Sequence, residues 1–354
     1  MRPMRALVRK LSFAGVCGAV VAASLTAPAP ADAGGPGWRL TPTGTDARFR
    51  GLAAVGRDVA WLAGSGGTVL RTTDGGRSWQ DVAPSGAAGL EFRDIEAFDA
   101  RRAVVLAIGE GDASRVYRTS DGGRTWTLGF QNDDPRAFYD CVTFFDSRHG
   151  LAMSDPVDGK FRIISTRDGG RSWRVLPSSG MPPALEGEAG FAASGQCLVS
   201  HGSRDVWLAT GGGSRARVFH SGDRGRTWTV ADTPLPSSPS QGVFAVAFRD
   251  SRHGIAVGGD YRPGEPSPNA AATTTDGGRT WQPAPRPPSE YRSGVAYSGP
   301  VALAVGPTGS DVTFTGGRTW TRFDTGSFDT VDCTPAHTCW AAGEKGRAAR
   351  LTLR

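Results

Sequence analysis

The chain has 354 residues, 38% of them hydrophobic, with 50 glycines, 24 prolines and a formal net charge of +6. That length allows a substantial core, in one large domain or a few small ones. The glycine and proline punctuation suits short strands and turns, and no stretch carries the apolar stripe of a long helix.

Residues 1–33 differ from the rest. Arg2, Arg5, Arg9 and Lys10 precede the apolar run Leu11–Leu25, and "APADA" closes on Ala33. This is the layout of a secretory signal peptide cut after Ala33, and the run is shorter than the ~20 residues of a bilayer span. The expectation is an exported protein, periplasmic or extracellular, with no membrane span after cleavage. Losing the leader removes four basic residues and one acidic one, so the charge falls from +6 to +3. The remaining excess forms no basic stripe, so a nucleic-acid partner is not expected.

Residues 34–354 carry a repeat. Ser/Thr-x-Asp-x-Gly-x-Ser/Thr-Trp occurs at Thr72–Trp79, Thr119–Trp126, Thr166–Trp173, Ser221–Trp228 and Thr274–Trp281. Its aspartates, Asp74, Asp121, Asp168, Asp223 and Asp276, are spaced 47, 47, 55 and 53 residues apart. A sixth copy ends at Trp320 and has Thr315 in place of the aspartate. Before each copy run three short apolar segments, and after it one strand beginning at the tryptophan (Trp79, Trp126, Trp173, Trp228 and Trp281). Four strands per repeat of this length mark a β-propeller blade, with the motif as the turn between third and fourth strands. The C-terminal segment Cys339–Arg354 mirrors Ala60–Thr72 but stops before a motif, and Gly37–Gly44 mirrors a post-motif strand. The expected fold is therefore all-β, a single seven-bladed propeller whose N-terminal strand completes the last blade and closes the ring.

The motif's chemistry is structural. The aspartate suits a turn whose backbone N–H groups need acceptors, the glycine suits positive φ, and the tryptophan suits packing between blades. The pattern is the Asp-box, or BNR repeat. Together with "FRDIEAFDARRAVVLAIGEGDASRVYRTSDGGRTW", "DPRAFYDCVTFFDSRHGLAMSDPVDGKFRIISTRDGG", "GEAGFAASGQCLV" and "FRDSRHGIAVGGDYR", it resembles bacterial exported relatives of the photosystem II stability/assembly factor family. More distantly it is similar to sialidase and sortilin-type propellers. The resemblance implies a non-enzymatic, protein-binding assembly or stability factor, monomeric and without cofactor. The alternative it leaves open is a carbohydrate-active enzyme, sialidase-like or another glycoside hydrolase, with its site at the channel mouth.

Function concentrates on loops, and the face opposite the motif turns holds the loops between second and third strands. These carry Glu110, Asp112, Asp155, Asp158, Asp260, Tyr261, Arg262 and Asp311. The starts of the inner strands align as Phe49-Arg50-Gly51, Phe92-Arg93-Asp94, Phe138-Tyr139-Asp140, Tyr291-Arg292-Ser293 and Phe328-Asp329-Thr330. This register turns Arg50, Arg93 and Arg292 toward the channel with Tyr139 and Asp329, to meet either an anionic or carbohydrate ligand or the neighbouring Asp94, Asp140 and Asp329. A sialidase-type site would recruit Tyr139 or Tyr291 and Glu186, Glu188 or Glu290, although no Arg-Ile-Pro segment of that type occurs. The five histidines are scattered and no metal site is expected. A disulfide is expected between Cys333 and Cys339, across "TPAHT". Aligning Cys141 with Phe191 leaves Cys197 six residues further along, about 20 Å away on a strand, and both are expected to be unpaired.

Overall fold

The structure is a computed structural model that describes residues 37–353; the expected signal peptide lies outside them. Seven four-stranded antiparallel sheets follow one another as the blades of a ring. Their innermost strands are Phe49–Ala54, Glu91–Ala97, Tyr139–Phe144, Leu198–His201, Gln241–Phe248, Gly294–Ser298 and Thr330–Cys333, for blades 1 to 7. The outermost strand of blade 7 is Arg39–Leu40, which pairs Arg39 with Arg350 and Leu40 with Ala349. The N-terminal strand thus closes the ring and covers the edge that blade 7 would otherwise leave unpaired.

Second strands such as Ala60–Gly64 and Gly254–Asp260 are buried along their whole length. Each blade is sandwiched between two others, so both faces of its middle strands are apolar. Between blades, Trp126 meets Trp61 edge-on at 6.4 Å, and Trp79 meets Trp340 at 5.8 Å.

The repeated turns satisfy their own backbone. Asp74 Oδ1 accepts from Thr72 Oγ1 (2.9 Å) and from the Ser78 N–H (3.0 Å), while Ser78 Oγ donates to Oδ2 at 2.6 Å. The Gly76 N–H donates to Thr72 Oγ1 at 2.9 Å. Asp121, Asp168, Asp223 and Asp276 repeat the arrangement. These hydrogen bonds favour the ionised carboxylate, and the Ser78 side chain and N–H hold Asp74 at about 2. In the sixth copy Thr315 Oγ1 takes over, accepting from the Thr319 N–H at 2.9 Å.

The cysteines require a correction. Cys333 and Cys339 are bonded, and so are Cys141 and Cys197, whose Cα atoms lie 6.1 Å apart. The expectation that the second pair is free rested on matching Cys141 with Phe191. In the ladders, Cys141 pairs with Met153 of its second strand, and the Ala209 N–H bonds the Cys197 carbonyl at the same level in blade 4. The two are equivalent residues of adjacent blades. Residues 188–197 are not strand at all, so counting along them as strand overstated the separation.

Candidate functional site

The mouth of the ring is built from bulges. The ladders skip one residue after Phe49, Phe92, Tyr139 and Val243, which puts Arg50, Arg93, Asp140 and Phe244 at the bulged positions of blades 1, 2, 3 and 5. A bulge re-aims a side chain and ends regular pairing. By the same register Gln196, Ser293 and Asp329 stand at that level in blades 4, 6 and 7.

The expected alignment was therefore one residue out in two blades. Asp140, not Tyr139, matches Arg50. Tyr139 is fully buried and packs edge-on against Phe130 at 5.2 Å. Arg292 matches Phe49 and does not face the channel. It is 0% exposed and donates through Nε to Asp311 Oδ2 at 2.6 Å, inside blade 6. Three convergent arginines become two, Arg50 and Arg93. The pairing expected for them also differs: Asp329 is held by Arg48, through Nε (2.8 Å) and Nη2 (2.7 Å). Asp94 takes no arginine; it accepts the N–H groups of Ile95 (2.8 Å) and Val142 (2.7 Å), linking blade 2 to blade 3. Burial pushes its carboxyl well above the ordinary range, against those two bonds.

The segment that the sequence reading took for an inner strand crosses the channel instead. Arg93 Nη1 of blade 2 donates to the Ala192 carbonyl at 3.1 Å, and Thr330 Oγ1 of blade 7 to the Ser194 carbonyl at 3.0 Å. Gln196 Nε2 donates to the Val331 carbonyl of blade 7 at 2.6 Å, while its Oε1 accepts the Val295 N–H of blade 6 at 2.8 Å. The Gln196 carbonyl takes the Val246 N–H of blade 5 at 3.1 Å. One stretch thereby ties four blades together and plugs the channel. Its composition fits the space: Ala193, Ser194 and Gly195 are buried, and a Cβ on Gly195, at φ +78°, would run into the Asp94 carboxylate. The bond between Cys141 and Cys197 anchors the C-terminal end of this plug to blade 3.

Over the plug lies an aromatic floor. Phe191 stacks on Phe244 at 4.1 Å and 11°, and Tyr291 meets Phe244 edge-on at 4.7 Å. Tyr261 stands at the border, 51% exposed and edge-on to Phe191 at 6.4 Å. Beside them Arg50 is largely desolvated; that, and the neighbouring Arg48, lowers its affinity for its proton, and its Nε is buried without a partner. Arg93 keeps a loose ion pair with Glu91 at 3.8 Å.

Asp140 and Asp155 adjoin the plug on blade 3 around Gly190, and Asp140 Oδ2 is buried without a hydrogen-bond partner. Burial and then the adjacent Asp155 carboxylate push Asp140 well up, and burial lifts Asp155 to about 6 while the Gly190 N–H, at 2.8 Å, opposes it. Two of the glutamates that a sialidase-type site would recruit are engaged. Glu188 is buried against Arg217 and accepts from the Leu185 N–H at 2.9 Å, and Glu290 pairs with Arg322 at 2.8 Å. Glu186 is exposed.

The remaining loop candidates serve their own loops. Asp260 is held at about 2 by the Arg262 guanidinium, whose Nη2 donates to it at 2.7 Å. Asp158 sits at the tip of the second-to-third-strand hairpin of blade 3, at φ 54°, and accepts from Arg136 at 2.7 Å. Asp112 meets Arg115 at 3.3 Å, and Glu110 forms a lone bridge to Phe138. Among the described residues no group of three His, Cys, Asp or Glu side chains stands ready for a metal, and no helix is long and apolar enough to cross a membrane.

Gln196, Phe191 and Phe244 were missed by the sequence reading. The available signal was the run of small residues in "GFAASGQC", which offers no side chain to fill a strand's share of the core.

No protein-family model and no curated protein matches the chain. Among solved structures it is similar to YCF48 bound to D1 peptide, with a TM-score of 0.65 and 16% identity over 92% of this chain and 98% of that one. It is similar to YCF48 from Cyanidioschyzon merolae at a TM-score of 0.61 and 16% identity, covering 89% of this chain and 98% of that one. The structure of U3-55K matches at 0.61 and 11% identity, covering 90% and 100%. At these identities the likeness is one of fold: a propeller ring shared over nearly its whole length.

Proposed function

We propose that this chain is an exported, non-enzymatic propeller that binds a segment of a partner protein at its plugged mouth, as an assembly or stability factor. The observation that carries this reading is the plug. With the channel filled by Ala192–Gln196, the mouth is a closed, shallow floor, shaped to support an extended segment laid across it. The floor offers Phe191, backed by the buried Phe244, and a half-exposed tyrosine beside two arginines, the residue types enriched where proteins anchor partners. The ligand that fits is a peptide with an apolar or aromatic anchor next to a carboxylate. The fold likeness to YCF48, one structure of which holds a D1 peptide, supports a peptide-binding reading.

The test is capture of proteins from an envelope extract by the mature chain, compared with the Arg50→Ala/Arg93→Ala and Tyr261→Ala variants. Arg292 is left alone, because removing one member of a buried ion pair costs about 3–5 kcal/mol and would confuse folding with binding. A specific protein retained by the wild type and lost from both variants is the expected result. Equal capture by all three sinks the site assignment, and turnover of a glycan by the wild type sinks the non-enzymatic reading.

A further inference from the structure

We propose a second site, on the face of the repeated turns: the notch between blades 3 and 4 binds a phosphate-class oxyanion. The third-strand residue that faces the equivalent notch is arginine in blades 1, 2 and 7 (Arg71, Arg118 and Arg350) and His220, Thr273 and Val312 in blades 4, 5 and 6. In blade 1, Arg71 fills the notch toward blade 2, its Nη1 donating to the carbonyls of Ala100 (2.8 Å) and Gly122 (2.9 Å). In blade 2, Arg118 does the same toward blade 3, its Nε donating to the Gly169 carbonyl at 3.1 Å. The ladders place Ser165 at this position in blade 3, opposite Leu151 as Arg71 is opposite Trp61 and Arg118 opposite Val104. A serine cannot span the gap. The notch stays open as a cavity of about 290 Å³, and Ser165 Oγ is buried without a hydrogen-bond partner.

What surrounds this opening is cationic. Arg167, Arg174, Arg224 and Arg226 line it, Phe145 contributes an apolar wall, and no carboxylate is among the lining residues. None of the four arginines joins the ion pairs of the described residues, unlike Arg162, Arg215 and Arg217 nearby. Three of the four depart from the repeat. Arg167 stands where other copies have Thr73, Ser120, Gly222 and Thr275, and Arg174 where they have Gln80, Thr127, Thr229 and Gln282.

Arg224 is the sharpest departure. The equivalent residues are Gly75, Gly122, Gly169, Gly277 and Gly316, all at positive φ, and Arg224 adopts the same left-handed backbone at φ 63°. A side chain there bears a steric cost that glycine avoids. Its guanidinium is held in place, with Nε donating to the Ser203 carbonyl at 2.6 Å and the group lying 5.7 Å over the Phe145 ring. Guanidinium forks match planar pairs of oxygens, and four of them outnumber what a single carboxylate can accept. A phosphate group, with three terminal oxygens and up to two charges, uses such a set. The group can belong to a soluble phosphate ester or chain, or to a phospholipid headgroup.

The test is titration calorimetry of the mature chain with inorganic tripolyphosphate, alongside flotation with phosphatidylglycerol vesicles and phosphatidylcholine controls. Arg224→Gly restores the residue of the other repeats, so its thermal unfolding should match or exceed the wild type. Its affinity should nonetheless fall about tenfold, as should that of Arg167→Gln/Arg174→Gln. Arg77→Gln/Arg124→Gln removes the same charge from the same face and should stay within about threefold. Saturable tripolyphosphate binding with this pattern, and no vesicle capture, assigns a soluble ligand. Phosphatidylglycerol capture lost in Arg224→Gly assigns the headgroup. Equal losses in site and control variants, or no saturation of the wild type by either probe, overturns the proposal.

Discussion

Cys141 and Cys197 bear on the plug and on stability together, and their bond makes the most exposed prediction. It closes a loop across a separation of 56 residues, whereas Cys333–Cys339 closes one of 6. On the chain-entropy relation, these loops restrict the unfolded chain by about 4 and about 2.4 kcal/mol respectively at 25 °C. A domain of this size unfolds with an entropy of about 2.1 cal/mol/K per residue, so the losses correspond to about 6 °C and about 4 °C in melting temperature. The measurement is calorimetry of the mature chain against its Cys141→Ala/Cys197→Ala and Cys333→Ala/Cys339→Ala variants, with reduced wild type to separate cross-linking from packing. The larger loop should cost more than the smaller, and the reduced wild type should lie below both variants that keep one bond. Peptide mapping without reductant that finds Cys141 and Cys197 as free thiols would refute the pairing. A smaller loss for the 141/197 variant than for 333/339 would refute the loop argument.

Two further outcomes follow from the channel. Gln196→Ala strips partners from the Val331 carbonyl and the Val295 N–H, two main-chain groups turned into the channel, and about 1–3 kcal/mol is expected for each group left unsatisfied; urea unfolding checks this, and a loss under about 0.5 kcal/mol would mean that water replaces the amide without cost. The channel carboxyls predict a pH dependence. Burial lifts Asp155 and Asp332 to about 6, above their unfolded values, so the stability tied to them is complete below pH ~4 and is lost as the pH rises through about 6. Asp155→Asn and Asp332→Asn should each flatten that decline in unfolding free energy between pH ~4.5 and ~7.5, and an unchanged slope in both would contradict it.

The ring was legible in the sequence because its signal is local and repeated. A turn that needs an acceptor, a positive-φ residue and a packing tryptophan leaves the same letters each time, and the missing outer strand of blade 7 followed from the mirrored ends. The mouth was less legible. Bulges at Arg50, Arg93 and Asp140 shift which residue occupies the rim by one, and the strand period cannot reveal a skipped residue. Arg292 and Tyr139 were misplaced for this reason. Residues 188–197 failed differently: their place in the repeat made a strand the default, and only the run of small residues Ala192–Gly195 argued otherwise. The bonds that define the plug run from Gln196 to residues 99 and 135 positions away, beyond the reach of any local pattern.

In a ring of near-equivalent blades, the shared features account for the fold and the departures locate what the fold is used for. The aspartate turns do the same structural work around the ring, and Thr315 shows that a hydroxyl suffices where the carboxylate is absent. Two departures bear on the proposed sites. One is the inner start of blade 4, where small residues replace a strand and close the channel. The other is the outer notch between blades 3 and 4, where Ser165 leaves open the gap that arginine fills in blades 1 and 2 and Arg224 replaces a turn glycine. The substitutions at the notch run against stability: a left-handed arginine and an unpartnered buried hydroxyl are both unfavourable for the fold alone. At the turn every other copy holds glycine, whereas the bridging position holds arginine in blades 1, 2 and 7 and shorter side chains in blades 3 to 6. Blades 3 and 4 thus frame the proposed oxyanion notch, blade 4 also contributes the plug beneath the proposed mouth site, and the bond from Cys141 to Cys197 joins the two blades.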